Sequence, residues 1–203
     1  KYFVSEDLKH PLETYVPQLG TLTFQVKLGT MLDKVNRIRA LVEDLFQWFD
    51  LDEKSKQIAR RAAELCKADL ATKMVVEMTS LQGQMGQFYA LNSGETAEVA
   101  QAIFDHYLPR YAGDQMAGDL PGLVVGLADR LDTLAGLFAV GLAPSGNKDP
   151  FAQRRAALGL VQNLITWKWD FDLRLGFAET AKHLPVENRS EAQRAVLEFV
   201  IER

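Results

Sequence analysis

The chain predicts an all-α protein, and three observations carry that prediction. Apolar residues recur at steps of three and four over long stretches, the spacing that stacks side chains along one helix face. Beyond Phe3 and Val4 no segment sustains the two-residue alternation of β-branched residues that marks a half-buried strand. Short clusters rich in Gly, Pro, Asn and Asp separate the periodic stretches, as turns between helices require.

The stretch from Arg61 to Ala90 organises the rest. Ala62, Cys66, Leu70, Met74, Met78, Leu81, Met85 and Phe88 form its apolar stripe, and the pattern is too long for a single ordinary helix. Asp69 and Thr72 offer a cap, so two helices are expected to meet at residues 67–72. That junction gathers Lys67, Asp69 and Lys73 at helix ends, where ligands are easiest to reach.

In chain order, residues 1–20 read as an extended leading segment with a turn or short helix, in which Tyr2, Phe3 and Val4 finish a strand. Residues 21–50 read as a long amphipathic helix, broken near Gly29 and Thr30, whose Lys27, Lys34, Arg37 and Arg39 decorate a solvated face, with a binding stripe as the alternative. Leu51, Asp52 and Glu53 open the next helix with acids at the positive end of its dipole. Asn92, Ser93 and Gly94 mark a turn before a helix over 95–107 that Pro109 stops, and 110–121 is a loop. A strongly apolar helix over 122–141 places Asp129 and Asp132 one turn apart, fit to ligate a metal, cap an arginine or meet solvent. After the loop 142–150, Asp149 is expected to cap a helix over 151–169 with Pro150 at its first position. The cations Arg154 and Arg155 in that first turn oppose the dipole, which points to an anionic partner. Two further helices follow over 171–184 and 191–201, with the turn between them marked by Pro185 and Asn188.

With 203 residues, 47% hydrophobic and 25% charged, the chain can bury a full core as an ordinary globular protein. A single cysteine, Cys66, rules out an internal disulfide framework and fits a reducing compartment; its place on the apolar stripe reads as a small buried hydrophobe. No apolar run approaches the roughly eighteen residues a membrane span needs, and no signal peptide is visible, so a cytoplasmic protein without membrane contact is expected. Lys1 and Arg203 at the two ends read as a piece of a longer chain. A net charge of −4 decides nothing about nucleic acid, because binding follows local basic patches.

Nucleotide-phosphate loops, dinucleotide glycine fingerprints, paired CxxC and HExxH are all absent, and His10, His106 and His183 lie far apart in sequence. The order of elements resembles the HD family of metal-dependent phosphohydrolases: AAELCKADL resembles the His-Asp helix with Ala68 in place of the histidine and Asp69 retained. ADRLD resembles its later aspartate motif, with Asp129 in position, and His106 falls between them. Loss of one ligand beside Lys67 works against cation binding, so no metal site and no catalytic residues are expected.

A narrower resemblance covers most of the chain. KADLATKMVVEMTSLQGQMGQFYA, then GDLP, ADRLDTLAGLF and PSGNKDPFAQRRAALG are similar, in that order, to the β subunit of bacterial heterotetrameric glycyl-tRNA synthetases. The resemblance implies a leading segment (1–20), a degenerate HD-like domain (21–150) and helices of an adjoining region (151–203). It implies tRNA positioning and scaffolding without catalysis in this stretch, glycine tRNA and the α subunit as partners, and ATP and magnesium used only by the whole enzyme. Lys67, Lys73, Lys148, Arg154 and Arg155 are the candidates for RNA contact, since each sits at a helix end or loop; each can equally be an internal ion-pair partner. A residual phosphohydrolase and a purely structural bridge are the alternatives.

Overall fold

The computed structural model describes residues 1–186 and 189–203. Among the described residues it has ten α-helices and one two-stranded hairpin, in accord with the all-α expectation. The helices are α1 (Tyr2–Asp7), α2 (Met31–Leu45), α3 (Glu53–Leu65), α4 (Lys73–Glu77), α5 (Gln84–Asn92), α6 (Ala97–Asp105), α7 (Leu120–Ala139), α8 (Gln153–Thr166), α9 (Leu173–His183) and α10 (Arg189–Ile201). The strands are β1 (Thr23–Gln25) and β2 (Gly29–Thr30).

Helix α7 is the axis of the molecule. Fifteen of its residues are buried, because it is apolar nearly all round, and α2, α3, α6, α8, α9 and α10 pack against it. Its first turn is set by Asp119, whose carboxylate accepts from the Gly122 amide, with Pro121 near the helix start, where a missing N–H costs nothing. Gly122 and Gly126 let α6 approach closely: a Cβ on Gly122 would stand 2.5 Å from Asp105 Cβ, and one on Gly126 2.9 Å from the His106 carbonyl oxygen.

Several expectations are corrected. Tyr2, Phe3 and Val4 begin α1 instead of finishing a strand, and 3-10 turns at Leu12–Tyr15 and Pro17–Thr21 follow. The break expected near Gly29 is larger than a kink. Residues 23–30 form a hairpin, and α2 begins only at Met31 under a capping box in which Thr30 and Asp33 satisfy each other's amides. Lys34 and Arg37 are 3% and 7% exposed, so they lie in the interior and not on a solvated face.

The organising stretch does break at residues 67–72: α3 ends at Leu65, a 3-10 turn spans Ala68–Ala71, and Thr72 caps α4 by accepting from the Val75 amide. A second break was not expected. Helix α4 stops at Glu77, and Gly83 at φ +80° turns the chain into α5, which leaves Met78 and Phe88 exposed where continuous periodicity placed them inside. Asp149 caps α8 from a distance: its carboxylate accepts from the Gln153 and Arg154 amides, but Ala152 occupies the N-cap, so Pro150 is outside the helix. Of the turn expected between the last two helices, Asn188 lies outside the described residues.

Candidate functional site

The charged interior sits where α2, α3, α6 and α7 meet. Lys34 and Arg37, one turn apart on α2, reach Asp132 on α7: Lys34 Nζ donates to Asp132 Oδ2 at 2.9 Å and Arg37 Nε donates to Oδ1 at 2.6 Å. Lys34 also lies 2.9 Å from Asp129 Oδ1, an ion-pair distance without hydrogen-bond alignment. From the end of α3, Lys67 Nζ donates to Asp129 Oδ2 at 2.7 Å and approaches His106 Nε2 at 3.0 Å. Three cations therefore surround two carboxylates in a space with almost no solvent.

The histidine tautomer follows from its partners. His106 Nδ1 faces the Ile103 carbonyl oxygen, which can only accept, so Nδ1 carries the hydrogen and Nε2 is left to accept from the Lys67 ammonium. Burial first, and then Lys67, hold the imidazole well below its ordinary pKa. Burial by itself would raise Asp129, but Lys34 and Lys67 hold it well below the usual carboxylate range. Burial likewise opposes the Lys34 charge, and Asp129 and Asp132 outweigh it and raise the ammonium. The Lys67 ammonium also stands 4.0 Å over the Tyr107 ring, a further favourable site for a desolvated cation.

Asp69 points elsewhere. It is fully buried, its Oδ2 accepts from the Gly83 and Gly86 amides at 2.7 and 3.1 Å, and it thereby ties down the start of α5. Burial pushes its carboxyl up to about 6. Asp7 does the same for α4, accepting from the Lys73 and Met74 amides. Cys66 is buried, and its thiol is pushed up to about 12 by that burial, which makes it an inert hydrophobe.

These positions do not fit a divalent metal. Ala68 supplies no donor, Asp69 is committed to backbone amides, and an ammonium already lies between His106 and Asp129. No group of three or more His, Cys, Asp or Glu able to hold a metal exists among the described residues.

The five cations expected to contact RNA separate by exposure. Lys67 is 4% exposed and fully engaged inside, so the junction that looked ligand-accessible is closed over it. Lys73 is exposed on α4, 3.6 Å from Glu6. Lys148 is exposed in the 142–150 loop and makes no side-chain hydrogen bond or ion pair among the described residues. Arg154 is half-exposed; Nη2 donates to the Gly146 carbonyl at 2.6 Å and Nη1 lies 4.0 Å from Asp149. Arg155 is exposed and likewise unpaired among the described residues. The anionic partner anticipated for this first turn is thus Asp149 for Arg154, and none among the described residues for Arg155.

Arg130, which the sequence leaves open to an ion pair with a nearby aspartate, makes none among the described residues. It is buried, and its guanidinium donates only to main-chain carbonyls, those of His106, Gly126, Tyr107, Leu108 and Pro109, so it holds the segment after α6 against α7. Burial lowers it to about 10. An arginine adjacent to Asp129 in ADRLD was visible, but its lack of a carboxylate partner was not. Arg130, Asp129, His106 and Tyr107 line a cleft of about 260 Å³ with Arg155 at its mouth.

A family model described as glycyl-tRNA synthetase beta subunit matches residues 1–203. The chain is 51% identical over 167 residues to a glycine–tRNA ligase beta subunit of Gloeothece citriformis, covering 82% of this chain and 23% of that protein. It is 48% identical over 177 residues to the Moorella thermoacetica protein of the same name, covering 87% and 26% respectively. The Syntrophomonas wolfei relative is 41% identical over 206 residues, covering 100% of this chain and 30% of that protein. The chain thus spans less than a third of the length of these relatives. With matches of this identity along its whole length, the chain belongs to the glycyl-tRNA synthetase beta subunit family.

Proposed function

We propose that this chain is a non-catalytic region of a glycyl-tRNA synthetase β subunit that contacts and positions glycine tRNA and acts as scaffold. On this reading the parent enzyme, with its α subunit, attaches glycine to tRNA in the cytoplasm, and ATP and magnesium act elsewhere in that assembly. Residues 21–150 would be a degenerate HD-like unit and 151–203 the beginning of the next.

The observation that carries the reading is the placement of Lys148, Arg154 and Arg155. In a chain of net charge −4, Lys148 and Arg155 are exposed cations without carboxylate partners among the described residues, and Arg154 stands half-exposed between them in sequence. RNA binding is chiefly phosphate neutralisation by such groups. Lys73 is a weaker member because Glu6 is beside it, and Lys67 belongs to the interior, where it stabilises the fold that presents the others.

Binding of the chain to glycine tRNA over a salt series tests this. The affinity should fall linearly on a log–log scale, and the triple variant K148A/R154A/R155A should lower the slope by about two to three. A wild-type chain that binds no tRNA at low salt would leave only the scaffold role.

A further inference from the structure

We propose that the cleft between the start of α8 and the His106–Asp129 floor is a receptor for a single phosphate group of an RNA strand, held by Arg155. The inference rests on the RNA-contact reading and assigns it a specific subsite. Its volume of about 260 Å³ is below that of ordinary small-molecule pockets, roughly 300–1,000 Å³, so it suits one group and not a whole ligand.

The charges around it favour an anion. Asp129 is the carboxylate among the cleft's lining residues, and it is already bracketed by the Lys34 and Lys67 ammonium groups. His106 has its Nε2 occupied by Lys67 and stays uncharged. Arg110 is neutralised by Asp114 at 2.9 Å. Among the described residues, Arg130 has carbonyl oxygens alone as hydrogen-bond partners, and Arg155 has none. Two arginine charges therefore lack a carboxylate counterion at one opening. Asp149, nearby in sequence, is spent on the Gln153 and Arg154 amides and does not supply it.

The larger cleft between α2 and α3, about 470 Å³, makes the contrast. It too is lined by arginines, but Arg60 is bound to Glu43 and Glu53, and Arg61 to Glu13, Glu64 and Glu95; Arg39 alone is left there without an ion pair among the described residues, and Glu43 and Glu64 line the same cleft. A guanidinium fork at the mouth of the smaller cleft matches phosphate oxygens two at a time, which an ammonium does not.

The experiment uses the whole 203-residue chain and fluorescent glycine tRNA carrying 4-thiouridine. R155A should weaken binding about five- to ten-fold at 0.1 M salt and lower the salt slope by about one; R155K should restore the slope but only part of the affinity. Photocrosslinks to the peptides bearing Tyr107 and Phe151 should appear with wild type, vanish with R155A and persist with K27A, which alters an exposed lysine outside the proposed contact set. Salt-dependent binding that R155A leaves unchanged, or crosslinks confined to other peptides, overturns the subsite while sparing the RNA reading. No tRNA binding by wild type overturns both.

Discussion

Asp69 and Lys67 are neighbours across one residue, yet they act on the fold in different ways. The carboxyl of Asp69 is raised from 3.8 to about 6, chiefly by burial. Folding therefore favours its protonated form: the stabilising contribution is complete below about pH 4 and is lost as pH rises through about 6, a change of about 3 kcal/mol. Asn at this position cannot ionise, and its carbonyl can still accept from Gly83 and Gly86. Urea unfolding of D69N and wild type at pH 4 and pH 7 should show the variant gaining about 3 kcal/mol relative to wild type over that interval. A difference that does not change with pH would contradict the burial argument. Lys67 instead supports the charge state of others. K67M leaves Asp129 with one ammonium where it had two, and should cost roughly 3 kcal/mol, measured by the same unfolding experiment. In that variant the His106 imidazole, freed from one of the two main causes that depress it, should titrate at higher pH by NMR.

At the scale of elements, the contact between α6 and α7 depends on two glycines. A methyl on Gly126 would meet the His106 carbonyl oxygen at 2.9 Å and its Cα at 3.2 Å, and main chain cannot swing aside as a side chain can. Alanine is the better helix former by about 1 kcal/mol, so propensity predicts that G126A stabilises. The packing predicts the reverse, a net loss of about 1–3 kcal/mol, because α6 must move and takes His106 and the Arg130-bound carbonyls with it. A thermal melt decides between them: a raised Tm would mean that the helices separate at little cost. The start of α8 is governed by a different device. Asp149 accepts from two first-turn amides from outside the helix, so D149A should lose about 1 kcal/mol and fray that turn, read as faster amide exchange at Gln153 and Arg154.

For the whole molecule, charge is sorted by depth: the interior network holds Lys34, Arg37, Lys67, Asp129 and Asp132, while Lys148 and Arg155 remain outside without partners among the described residues. RNA affinity is therefore expected to fall with salt while folding stability responds weakly, since buried pairs are screened much less than exposed ones; tRNA binding and urea unfolding at 0.05 and 0.3 M salt check this together. The sequence by itself determined the helical class, the position of α7 as the apolar axis, the break at residues 67–72 and the family, because periodicity, turn residues and motif order are local and survive in one dimension. It could not show that Lys34, Arg37 and Lys67 turn inward, because a lysine beside an apolar stripe looks the same whether water or a distant carboxylate receives it. Asp132 lies 98 residues from Lys34 and Asp129 lies 62 residues from Lys67, separations that no local pattern encodes. The second break at Gly83 escaped for a related reason: the apolar spacing continues through it, and only the packing of Asp69 against the Gly83 and Gly86 amides ends one helix and starts another. Tertiary structure alone decided which cations were consumed and which were left unpaired among the described residues, since a charge is neutralised by whatever lies within a few ångströms, however far away it is along the chain.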